Sequence, residues 1–169
     1  MSVEPPAPTG GPPPLVARRF RTGRILYGVG TTVGLVGSGL TLSGIVVSSI
    51  YGVDGELGSV GRGLTYGGAG ASGLGVIMTA TGLGLQHSAL RSIGVDPGRG
   101  LYAIGTLFAI LGLGGVVTTY YLGAAKPDHY EEISLGSSIG ASVLLGVGGI
   151  LYFIDHGRML KVYHRLTTF

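Results

Sequence analysis

The chain contains no cysteine, which removes disulfides, thiolate catalysis, cysteine-ligated zinc and iron–sulfur clusters from consideration. Charge is the second scarcity. Asp, Glu, Lys and Arg together make up 11% of the residues, where an ordinary soluble domain carries about 25%. That shortage excludes most soluble enzymes and acidic disordered tails. Glycine, by contrast, is abundant, with 35 in 169 residues. It keeps no three-residue period, so a collagen-like helix is excluded as well. Apolar residues reach 45% without counting glycine, and the mean hydropathy is +0.51. These figures describe a small helical membrane protein, with one domain as the default at this length.

A hydrocarbon core of about 30 Å needs about 20 apolar residues in a helix. Four stretches qualify, at about 25–51, 64–85, 101–122 and 134–154, and none holds Asp, Glu, Lys or Arg. A soluble bundle would carry charges along each outer face, so their absence points to lipid. Asp54-Gly55, Pro97-Gly98 and Lys126-Pro127-Asp128 supply turn chemistry between the stretches. Such short connections make neighbouring spans antiparallel and bring both termini to one side.

Basic residues choose the side. Arg18, Arg19, Arg21 and Arg24 precede the first span, Arg91 and Arg99 flank the second connection, and Arg158, Lys161 and Arg165 follow the last span. Only Arg62 and Lys126 fall on the other side, beside Asp54, Glu56, Asp128, Glu131 and Glu132. The positive-inside rule then predicts cytoplasmic termini. Tyr27, Tyr51, Tyr66, Tyr102, Tyr120, Tyr121 and Tyr152 sit near span ends, as headgroup-level rings do. A pI near 9.3 can signal nucleic acid, but here the basic residues flank apolar runs, so the expected partner is the lipid bilayer and no nucleic acid is expected. Richness in Arg, Gly, Ala and Val points to a GC-rich bacterial genome, hence a bacterial inner (cytoplasmic) membrane.

The expected organisation is a disordered Pro-rich tail with a basic flank at 1–23, a first hairpin at 24–97, a second at 98–157 and a basic tail at 158–169. Arg18-Arg19 ahead of an apolar run has the form of a twin-arginine signal. The run is too long for one and lacks a small-x-small cleavage site, so an uncleaved anchor is expected.

The hairpins look duplicated. At an offset of 75, residues 23–39 meet 98–114 with eight identities, Arg24, Leu26, Tyr27 and Thr31 among them, where chance gives about two. More loosely, Gly70-Ala71-Ser72 meets Gly140-Ala141-Ser142, and Gln86-His87 and Asp155-His156 close their spans alike. Two hairpins that leave and re-enter from the same side form a parallel repeat, with a pseudo-two-fold along the membrane normal. The fold class is therefore all-α: a four-helix transmembrane bundle of two parallel hairpin repeats.

In lipid, helices pair through close packing, which small residues permit. The expected packing faces are Gly30, Gly34, Gly37 and Gly44 in the first span and Gly67, Ala71, Gly75 and Gly82 in the second. The third offers Gly105, Ala109 and Gly112, and the fourth Ser138, Ser142, Gly146 and Gly149. These Gly-rich hairpins resemble the proteolipid subunit of rotary ATPases. That family carries a mid-membrane carboxylate and these spans have none, so the resemblance covers packing alone.

The chemistry is sparse. Charge-free spans argue against proton- or sodium-coupled transport. No Ser-His-Asp set, His-Glu-x-x-His or phosphate loop occurs. His87 and His156 lie at similar depths on repeat-related helices, with Gln86 and Asp155 beside them. A two-fold would bring them together as metal or bis-histidine haem ligands; otherwise they are interfacial histidines favoured by helix C-terminal dipoles. Thr31, Thr32, Thr41, Thr79, Thr81, Thr118 and Thr119 are expected to bond to their own helices or neighbours, with a polar path as the alternative. The leading expectation is a non-enzymatic, cofactor-free assembly or scaffold subunit, in a homo-oligomer or larger membrane complex. A small channel or facilitator comes second, and a haem- or metal-binding subunit third.

Overall fold

Four helices account for nearly all of the described chain: α1 (Pro14–Tyr51), α2 (Glu56–Arg91), α3 (Gly100–Ala125) and α4 (Tyr130–Thr167). This computed structural model describes residues 12–51, 55–125 and 130–168, without the side chains of 122–136 and 138. All four helices are long and apolar enough to cross a membrane. They pack as two pairs, α1 against α2 and α3 against α4, and the pairs touch through α2 with α3 and α4 and through ring stacking of α1 on α4.

Two boundaries differ from the sequence reading. Residues 14–23, assigned to a tail, form the start of α1, and residues 158–167 continue α4. Pro14 fits a first helical position, where no N–H is needed. Val16 and Phe20 are buried beside Ala89, Leu90 and Met159, with Val162 and Tyr163 packed around them. Phe20 stacks on Tyr163 with centroids 4.0 Å apart. The arginines between these apolar positions masked a helical face. Residues 1–11 lie outside the described residues. The end of the bundle where α1 starts and α4 finishes is called the basal end below.

The α1–α2 pair is built on glycine. Gly23, Gly30, Gly37 and Gly44 of α1 oppose Gly82, Gly75, Gly68 and Gly61 of α2, one pair every seven residues. A Cβ at Gly23 would fall 2.6 Å from the Gly82 carbonyl oxygen, and one at Gly30 2.8 Å from that of Gly75. Backbone therefore lies on backbone, which only glycine allows at these positions. The α3–α4 pair is looser. Added Cβ atoms at Gly105 and Gly112 would meet the side chains of Tyr152 and Leu145, and one at Gly115 would meet Ala141.

The connection from α2 to α3 closes in a Schellman turn. Gly94 has φ +80°, the Val95 N–H donates to the Leu90 carbonyl and the Gly94 N–H to that of Arg91. Gly98, at φ +75°, donates its N–H to Asp96 Oδ1. Arg158 of α4 donates to the Pro97 carbonyl at 3.2 Å and ties the turn to the bundle.

Candidate functional site

The polar interior lies where the two hairpins meet, on the basal side. α2 presents Gln86 and His87 near its end, and α4 presents Asp155 and His156. His87 Nε2 and Asp155 Oδ2 are 2.7 Å apart, with the side chains 3% and 1% exposed. His156 Nδ1 and Gln86 Oε1 are 3.1 Å apart, and Gln86 is buried. The pairing is crossed: the first residue of each dipeptide meets the second residue of the other. The flanking tyrosines follow the same rule. Tyr27 of α1 stacks on His156 of α4 at 3.9 Å, and Tyr102 of α3 lies 5.2 Å from the His87 ring.

A carboxyl group enclosed in low dielectric needs a hydrogen-bonded partner to offset its loss of solvation. His87 is that partner, through one oxygen. Asp155 Oδ1 and His87 Nδ1 are buried with no partner among the described residues. Below the cluster, the Tyr152 hydroxyl donates to Thr106 Oγ1 at 3.0 Å, and Thr106 donates to the Tyr102 carbonyl. The arrangement pins α2 to α4 and ties one hairpin to the other.

The structure brings His87 and His156 into one cluster, yet engages each ring with a side chain of the other hairpin rather than with its fellow histidine. Among the described residues no three His, Cys, Asp or Glu side chains converge to hold a metal ion. All seven intramembrane threonines singled out above donate to the carbonyl four residues back, for example Thr31 to Tyr27 and Thr79 to Gly75.

The packing faces fall partly elsewhere than the sequence reading put them. Gly30, Gly37, Gly44, Gly75, Gly82, Gly105 and Gly112 lie in the helix contacts, and Ala109 is buried. The Gly34 backbone lies against Gly75, where an added Cβ would fall 2.5 Å from the Gly34 Cα, and Ala71 is half-buried. Gly67, Gly146 and Gly149 face open space within this chain, so the intrachain contacts lie one residue away in helical phase. On α2 the seam runs through Gly61 and Gly68; on α4 the face toward α3 carries Ala141, Leu145, Gly148 and Tyr152. Ser142 is exposed and Ser138 lies outside the described side chains. Gly23, Gly61 and Gly68 were missed, although their strict period of seven was readable.

Arg18, Arg19, Arg21 and Arg24 lie on the first turns of α1, Arg91 ends α2, and Arg99 immediately precedes α3. Arg158, Lys161 and Arg165 lie on the last turns of α4, so all nine gather at the basal end. Compared with known protein families, curated proteins and solved structures, the chain matches none.

Proposed function

We propose that this small membrane protein is a non-enzymatic subunit that assembles in the bilayer with a second copy or a larger partner through the outward face of α2. The observation that carries this reading is a second set of glycines. Gly63, Gly67 and Gly70, continued by Leu74, Ile77 and Thr81 in steps of four and three, face away from α1 and are exposed. A Cβ at Gly63, Gly67 or Gly70 would meet nothing within 4 Å. Glycine costs a helix about 1 kcal/mol relative to alanine in water, and lipid contact returns nothing for it. A closely approaching helix does.

The crossed pairing of Gln86-His87 with Asp155-His156, and of Tyr27 and Tyr102 with the opposite hairpin, supports descent from a duplicated hairpin about a pseudo-two-fold. Nine basic residues at the basal end support cytoplasmic termini. The threonine hydroxyls, each engaged with its own helix, weigh against a polar path, and the partnered histidines weigh against haem ligation.

Native mass spectrometry of gently extracted protein tests the reading. A defined oligomer or hetero-complex is expected, and Gly67→Leu should dissolve it while leaving the α1–α2 seam intact. A bare monomer from the native membrane would overturn it.

A further inference from the structure

An open cleft of about 670 Å³ lies at the basal end, between the start of α1, the end of α2 and the start of α3. Three exposed arginines from three segments line it: Arg19 from α1, Arg91 from the last turn of α2 and Arg99 from the connection before α3. None of its lining residues is a carboxylate. Arg91 has local reasons for its position, namely the helix C-terminus and Asp96 at 3.8 Å from its Nε, both side chains well exposed. Arg19 and Arg99 have no acidic partner among the described residues. Like charges converging on one cleft repel, and an anion between them removes that repulsion.

The walls carry neutral donors. Arg19 Nη1 donates to Ser88 Oγ at 3.4 Å, which leaves the Ser88 hydroxyl proton to point at a ligand. Gly84 makes room for Tyr102, whose hydroxyl oxygen would lie 3.2 Å from a Cβ there. His87 also lines the cleft, 97% buried by its 3% exposure, and its Nδ1 is the ring nitrogen without a partner. Arginines supplied by three separate segments suit a tetrahedral oxyanion better than a planar carboxylate, because such an anion offers oxygens on several sides. Arg19 is shared with a neighbouring recess of about 270 Å³ that includes Leu15 and Leu85, an apolar margin for whatever carries the anion.

The geometry points to a binding site for a phosphate group, held by Arg19, Arg91 and Arg99 with Ser88 as neutral donor and His87 at its wall. The phosphate belongs either to the headgroup of an anionic phospholipid or to a soluble phosphorylated compound. Two arms separate these sources, both on the full-length chain. In the first, native mass spectrometry follows retention of phosphatidylglycerol against phosphatidylcholine in mixed nanodiscs. In the second, thermal unfolding in neutral detergent is followed with inorganic phosphate added. The test variant is Arg19→Gln with Arg99→Gln. The control, Lys161→Gln with Arg165→Gln, removes the same charge from the end of α4.

Selective phosphatidylglycerol retention, weakened about tenfold or more in the cleft variant and kept in the control, is expected for a lipid headgroup. Stabilisation by phosphate without lipid preference, lost in the cleft variant alone, assigns the site to a soluble compound. Ser88→Ala, which removes an exposed hydroxyl and its one bond to Arg19, should weaken either response several-fold and decides the matter where the double variant does not fold. Equal losses in both double variants, an unaffected Ser88→Ala protein in that case, or no response of the wild-type chain in either arm overturns the site.

Discussion

Asp155 is buried with one oxygen held by His87 and the other without a partner among the described residues. Removing one member of such a buried pair strands the other, at a cost of about 3–5 kcal/mol, whereas removing both costs far less than the sum. Asp155→Ala is therefore expected to lower the thermal midpoint in mild detergent sharply, and His87→Ala with Asp155→Ala to recover part of the loss. An Asp155→Ala protein that melts with the wild type would show that the pair does not hold the hairpins together. The members of this cluster were legible in the sequence, because Gln86-His87 and Asp155-His156 each close a charge-free run. Their crossed pairing was not. It depends on how α2 and α4 are rotated about their axes, and a spacing of small residues does not fix that rotation when several faces carry glycine.

Among the elements, α1 and α2 show where that ambiguity resolves. Gly67 and Gly68 are neighbours in sequence and differ by about 100° around the helix. A Cβ at Gly68 would run into the Gly37 carbonyl and the Thr41 backbone, while one at Gly67 meets open space. Gly68→Ala is expected to destabilise the hairpin by about 1–3 kcal/mol through overpacking. In the dissociated single chain, Gly67→Ala should be neutral, or stabilising by up to about 1 kcal/mol through helix propensity. Midpoints of unfolding in graded sodium dodecyl sulfate would separate the two; a reversed order would place the seam on the wrong face. Element number and order were legible because the spans are free of charge. Helix length was less so. The Arg-rich start of α1 reads as a polar flank until Val16 and Phe20 are seen to face Ala89 and Met159.

Over the whole molecule, the two hairpins are unequal. The α1–α2 pair is closed by backbone contact along its length, while in the α3–α4 contact Gly105, Gly112 and Gly115 face the side chains of Tyr152, Leu145 and Ala141, and Gly148 alone lies nearest to backbone. Backbone amides of α1 and α2 should accordingly exchange with deuterium more slowly than those of α3 and α4 in the same detergent. Equal protection would argue against the difference in packing. The 38 residues of α1 also measure about 57 Å at a rise of about 1.5 Å each, well beyond a hydrocarbon core of about 30 Å. The cluster of Phe20, Leu90 and Met159 at its basal end is an apolar core of the kind water assembles, whereas the glycine seam is of the kind lipid tolerates. The protein thus answers to two solvents at once. Urea should dissolve the basal core and leave the seam standing, strong detergent should open the α1–α2 seam while that core persists, and a stability measured with one agent describes only half of the protein.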